Sequence, residues 1–299
     1  MHGSLFAMQV LRIESTQFGE WDSDSGWGGQ FNLHGLLPCM PRLQALHLAS
    51  CKFESLEGVD FSANSGLRFL DVRCNLLQGW HAQGTSSLGR LSALCLGGNS
   101  FESEQQVQSL ASHFSALTSL QSLSFSDAEA GTMWPDRNEG EGNSLRDTGA
   151  AVLAQHLSAL VCLTLLELRS CMIGDAGICD LASSLHTVSS LRALNVENNL
   201  FGAEGLRGLA QGLPCCPTLR TLALALQDQG MVADELRSFQ GAAALAQVFG
   251  ACWHLSEMCL RLLGFDIPEQ CLPVVFSALG HITALKRLEM VCDLSLIHI

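Results

Sequence analysis

The chain has 299 residues, is 47% apolar, and sets 16 basic against 29 acidic residues for a formal net charge of −13. This balance argues against nucleic acid as a partner, which needs clustered Lys and Arg, and against an anionic membrane surface. No run of 18 uninterrupted apolar residues exists to span a bilayer. The acidic excess suits a protein kept dispersed by its charge, or one with basic partners. The 13 cysteines make no C-x-x-C and no zinc spacing, so free thiols in a reducing, cytoplasmic compartment are expected. The N-terminus, MHGSLFAMQVLRIES, has no basic segment leading into a long apolar run, as a secretory signal would.

In chain order, Met8, Leu11 and Ile13 give a first, imperfect strand motif, M-x-x-L-x-I. Residues 17–35 are rich in Gly and Asp and predict an irregular loop. Asp22 and Asp24 invite a calcium reading. An EF-hand register from Asp22 fails, putting Trp27 at the turn glycine and Leu33 at the bidentate glutamate. A regular series follows. Leu43, Leu46 and Leu48 lead to Cys51; Leu67, Leu70 and Val72 to Asn75; Leu91, Leu94 and Leu96 to Asn99. Leu120, Leu123 and Phe125 have no clear Asn after them. Leu163, Leu166 and Leu168 lead to Cys171; Leu191, Leu194 and Val196 to Asn199; Leu219, Leu222 and Leu224 to Gln227. Leu255, Met258 and Leu260 follow, then Leu285, Leu288 and Met290 with Asp293. About ten units result, with a clean spacing of 28 residues from Leu163 to Leu191 to Leu219.

With the first apolar residue of each motif numbered position 1, positions 4 and 6 fall on one face of a short strand, and stacked strands form a parallel sheet. An Asn or Cys at position 9 suits an inward side chain that bonds loop backbone. Between strands the period becomes helical. Leu153-Ala154 with Leu157, Leu181-Ala182 with Leu185, and Leu209-Ala210 with Leu213 each make one apolar stripe. Asp147, Asp175 and Glu204, near the starts of these segments, are expected to favour the positive end of their own helices. His113, His156 and His186 recur one or more units apart and follow the repeat. Residues 126–146 and 228–240 interrupt the pattern and predict loop insertions. The tail at 295–299 belongs to no unit and reads as the non-native end of a truncated frame, so the chain is expected to be part of a larger protein or complex.

L-x-x-L-x-L-x-x-N/C in units of 28 residues, with a G-x-x-G-x-x-x-L-A-x-x-L helix, resembles the leucine-rich repeat superfamily. In particular it is similar to the ribonuclease-inhibitor-like class, found in nucleotide-binding immune receptors and Ran GTPase-activating proteins. The resemblance covers roughly residues 8–293. It implies one α/β solenoid over 1–299, a strongly curved horseshoe with a concave parallel sheet and convex helices. It also implies binding of a protein partner on the concave face.

Positions 3, 5 and 7 then point onto that face. The candidate partner-binding residues are Asp71, Arg73, Glu167, Arg169, Asn195, Glu197, Glu257 and Arg261, with Glu167, Arg169, Asn195 and Glu197 at the centre. Their charges are expected to be solvated, with ion pairs worth about 0–1 kcal/mol each, and Glu197→Ala within about 0.5 kcal/mol of neutral. No G-x-S-x-G, Walker loop or H-E-x-x-H is present, so no catalytic residue, metal or cofactor is expected. The function so read is a non-catalytic interaction scaffold. The alternatives are a Ran-type GTPase-activating protein and the ligand-sensing fragment of a larger receptor or ubiquitin-ligase adaptor.

Overall fold

A computed structural model describes residues 6–13, 33–126, 143–227, 239–263 and 269–292. Ten parallel strands form one sheet in which each strand lies beside its neighbour in sequence. They are β1 (Val10–Arg12), β2 (Ala45–His47), β3 (Phe69–Asp71), β4 (Ala93–Cys95), β5 (Ser122–Ser124), β6 (Leu165–Glu167), β7 (Ala193–Asn195), β8 (Thr221–Gln227), β9 (Glu257–Leu263) and β10 (Arg287–Cys292). Helices alternate with them: α1 (Leu33–Leu36), α2 (Glu104–Ala111), α3 (Arg146–His156), α4 (Asp175–Ser184), α5 (Ala203–Gly212), α6 (Phe239–Ala251) and α7 (Leu272–Leu279). The architecture is α/β and solenoid-like. No helix among the described residues is long and apolar enough to cross a membrane.

The motif leucines set the register. Leu46, Leu70, Leu94, Leu123, Leu166, Leu194, Leu222 and Met258 stand opposite one another from strand to strand. All are at most 3% exposed. A slip of one residue would turn this whole row out of the core, so the pairing is strongly specified. The core lies between this sheet face and the helices, whose Leu153, Leu157, Leu181, Leu185, Leu209 and Leu213 join the same cluster. Where a unit spans only the 24 residues from Leu43 to Leu67 or from Leu67 to Leu91, no α-helix fits. A loop with buried Phe61 and Trp80 stacked at 6.2 Å fills the layer instead.

Position 9 ends the strands. The Asn199 side chain accepts from Cys171 N and Ile173 N and donates to Leu168 O and Val196 O. Asn75 does the same in its unit, and Asn99 accepts from Leu77 N and donates to Val72 O and Leu96 O. The unit that lacked an asparagine in the sequence has one: Asn143, beyond the insertion, donates to Leu96 O and Phe125 O and accepts from Phe101 N. The thiols of Cys51 and Cys171 sit at the same position, on loop carbonyls. Position 8 takes a left-handed backbone in five units, at Ser50, Cys74, Gly98, Ser170 and Asn198 (φ 53–62°), which turns the chain out of the sheet. Cys74 is consequently exposed. After Leu224, Leu260 and Met290 no asparagine follows, and β8, β9 and β10 run on for 7, 7 and 6 residues.

The helix starts differ from the sequence reading. Asp147 does not cap α3, its own helix. Its Oδ1 accepts from Gly174 N (2.7 Å) and Gly177 N (3.1 Å) at the start of α4. Asp175, one unit on, accepts from Gly202 N (2.8 Å) and Gly205 N (2.6 Å) at the start of α5. Each carboxylate therefore satisfies orphan amides of the following helix. Glu204 pairs instead with Arg207, on its own helix. The insertions are also narrower than expected. α1 begins at Leu33, the repeat resumes at Asn143, and α6 begins at Phe239. The rest of 17–35, 126–146 and 228–240, with the Asp22/Asp24 loop and the 295–299 tail, lies outside the described residues.

Candidate functional site

The alternation that sends position 4 into the core sends positions 3, 5 and 7 to the second face of the sheet. Strand pairing aligns position 5 into one row: His47, Asp71, Cys95, Ser124, Glu167, Asn195, Ala223, Cys259 and Glu289. Position 7 runs beside it with Arg73, Gly97, Ser126, Arg169, Glu197, Ala225 and Arg261.

The solvated surface expected here is not what the structure shows. Glu167 is 0% exposed, Asn195 and Glu197 1%, Asp71 3% and Arg169 5%. Neighbouring strands place these side chains about 4.8 Å apart, so each screens the next. The accessible part of the face is position 3, where Phe69, Ala93, Ser122, Leu165, Ala193, Thr221 and Glu257 are half-buried. Glu257 stands in that outer row, between Thr221 and Arg287, apart from the other seven candidates.

The seven fall into three groups. Asp71 and Arg73 form a two-pronged pair, Nε to Oδ1 at 2.9 Å and Nη2 to Oδ2 at 2.8 Å, and Asp71 also accepts from Arg73 N. This bond holds the guanidinium more firmly charged than usual.

The second pair crosses a strand. Glu197 on the β7 side meets β9, where Arg261 Nε lies 3.3 Å from its Oε1 and the Cys259 thiol donates to the same oxygen at 3.3 Å. β8 lies between them and carries Ala223 and Ala225 at positions 5 and 7. Those alanines leave the gap that a longer side chain would fill. Asn195 turns inward on its own strand end, its Oδ1 accepting from Glu197 N.

Glu167 and Arg169 are the third group, and they do not pair. Neither Glu167 oxygen has a hydrogen-bond partner of good geometry, nor do Arg169 Nε and Glu197 Oε2. Burial, reinforced by Glu197, raises the Glu167 carboxyl to about 7, against the opposing pull of the Ser124 hydroxyl, Arg73 and Arg169. Asp71 is three strands away along the row, too far to share a proton with it. The thiols of Cys95 and Cys259 are pushed up to about 12, in both cases chiefly by burial. They are protonated at neutral pH and are not nucleophiles.

The candidate residues were legible from their positions. The reach from Glu197 to β9 was not, although Ala223-x-Ala225 was its sequence signal. A separate cleft of about 610 Å³ is lined by Gly250 of α6 and by Pro273, Val274, Ser277 and Ala278 of α7, with His281 beyond it.

No protein-family model matches the chain, and no curated protein does. Among solved structures it is similar to leiomodin-1 actin-binding site 2, at 14% identity and a TM-score of 0.36, over 44% of this chain and 71% of that one.

Proposed function

We propose that the chain is a leucine-rich repeat horseshoe of the ribonuclease-inhibitor-like class and a non-catalytic cytoplasmic scaffold. Its second sheet face is the concave one, and a protein partner lies across it. The observation that supports this most is the polar row itself. One sheet face is an unbroken leucine core, while the other carries aligned charged side chains with hydrogen-bonding capacity left over at Glu167, Arg169 and Glu197. Structural polar groups are normally satisfied when buried, so spare capacity on one continuous face marks a place for a partner's groups. The exposed thiols of Cys162 and Cys215 fit a reducing compartment.

A photo-crosslinking amino acid at Ala93, Ala193 or Glu257, on the accessible outer row, is expected to capture one discrete partner in cells. The same probe at Asp180 or Gln211, on the helical side, is expected to capture none. Equal capture from both sides would overturn the assignment. A Ran-type GTPase mixed with the chain should hydrolyse GTP at its basal rate, and acceleration would reject the non-catalytic reading.

A further inference from the structure

We propose that two copies of this chain pair through the outer edge of β10, antiparallel about a two-fold axis at Leu288. The surface is an edge of the sheet and not its second face, so it does not depend on the partner reading above.

The backbone supplies the first argument. In earlier units position 6 donates its N–H to the strand that follows: Leu48 N to Asp71 O, Val72 N to Cys95 O, Leu168 N to Asn195 O and Val196 N to Ala223 O. In β10 the residues that face outward in this way are Leu288 and Met290, because Arg287 N turns back to Ser256 O on the β9 side. Position 2 carbonyls also face the next unit, as Arg68 O does toward Ser92 N, so Lys286 O points outward too. Among the described residues no strand pairs with that edge. It runs for 6 residues without a proline, and such an open row is a template for another chain.

The side chains supply the second. Leu288 continues the buried leucine row, yet it is 39% exposed, and Phe276 of α7 is 54% exposed. Val274, Ser277 and Ala278 line the cleft toward α6, and the helical period then sets Phe276 on the side turned away from α6. A second copy on the edge covers this apolar end.

Charge selects the register. Opposed residues of an antiparallel pair share a face. With Leu288 against Leu288 of the copy, Arg287 meets Glu289 of the copy, and the two-fold axis repeats the contact. Leu288 N–H faces the copy's Leu288 C=O, and Met290 N–H faces its Lys286 C=O. A slide of one residue sets inward backbone groups against outward ones. The next allowed register opposes Arg287 to Arg287 in one direction and Glu289 to Glu289 in the other. Within one chain Arg287 lies 3.5 Å from Glu289, so pairing across the axis keeps both charges answered.

Sedimentation equilibrium of the full chain tests this. The chain is expected to pass from monomer to dimer between about 1 and 100 μM, as a small interface does. Arg287→Glu and Glu289→Arg should each weaken the dimer by about tenfold, because opposed pairs become like-charged ones. The double variant restores opposite charges and should return to within about threefold of the original. Thermal melts confirm that all three are folded. Amide exchange reads the register without substitution. Leu288 and Met290 should gain protection as concentration rises, while Arg287, already bonded to Ser256 O, should not change. A monomer throughout would overturn the proposal. So would a double variant as weak as the single ones, equal dimers in all variants, or open-ended growth, which would mean head-to-tail pairing of β10 with β1.

Discussion

Glu167 gives the folded chain a pH response whose sign can be worked out. An unfolded glutamate releases its proton near 4.5, and this one, folded, near 7. Between those values the native state holds a proton that the unfolded state lacks, so stability falls as pH rises through that window. The contribution is fully present below 4.5 and gone above about 7, a change of about 3 kcal/mol at 1.36 kcal/mol per decade. Glu167→Gln should therefore raise the melting temperature at pH 8 and flatten its dependence between pH 5 and 8. A slope unchanged in the variant would assign the titration to another group. Glu197→Ala, neutral on the sequence reading, is expected to cost about 2 kcal/mol, because it strips a largely buried Arg261 of its counter-charge and Cys259 of its acceptor. Chemical denaturation of the variant, with Arg261→Ala and the double variant to close the cycle, measures the coupling. A coupling of zero would reduce the pair to a surface contact. Residue identity at these positions was readable from the motif. Burial was not, since it depends on what the strands on either side present.

At the scale of the elements, each helix start is completed by the unit before it. Asp147 serves α4 and Asp175 serves α5, and Gly177 and Gly205 make room for the carboxylate. A Cβ at Gly205 would stand 2.8 Å from Asp175 Oδ1 and 2.7 Å from Phe201 Cβ. Asp175→Ala should cost about 1–2 kcal/mol, as loss of a helix cap does. It should speed amide exchange at Gly202 and Gly205 and leave Gly174 and Gly177 protected. Faster exchange confined to α4 would mean that the carboxylate acts on its own helix after all. The spacing of the acidic residues was visible in the sequence. Their target was not, because an inter-unit bond links residues 27 and 30 apart that no local helix pattern connects. Asn143 hid for a related reason: the insertion carries it 18 residues from Phe125, where a regular unit sets 3 between Val196 and Asn199.

Across the whole molecule, the sheet is a line of nearest-neighbour contacts, so damage should stay local. Leu194 stands between Leu166 and Leu222 in the buried row. Leu194→Asp exchanges about 1.5–3 kcal/mol of apolar burial for a carboxylate without a partner. The units of β6 to β8 should lose amide protection while β2 and β3 keep theirs, as in an array whose stability sums unit and interface terms. Uniform loss along the chain would show a single cooperative block. The leucine spacing by itself determined the strands, their order, their register and which face is apolar. These follow from side-chain periodicity and from each unit's need to bury its leucines against the next. Tertiary structure alone decided which polar side chains are buried, which carboxylate caps which helix, and that Glu197 reaches Arg261 across two alanines. Each of these depends on distances between units, and a sequence holds no such distance until the stack has formed.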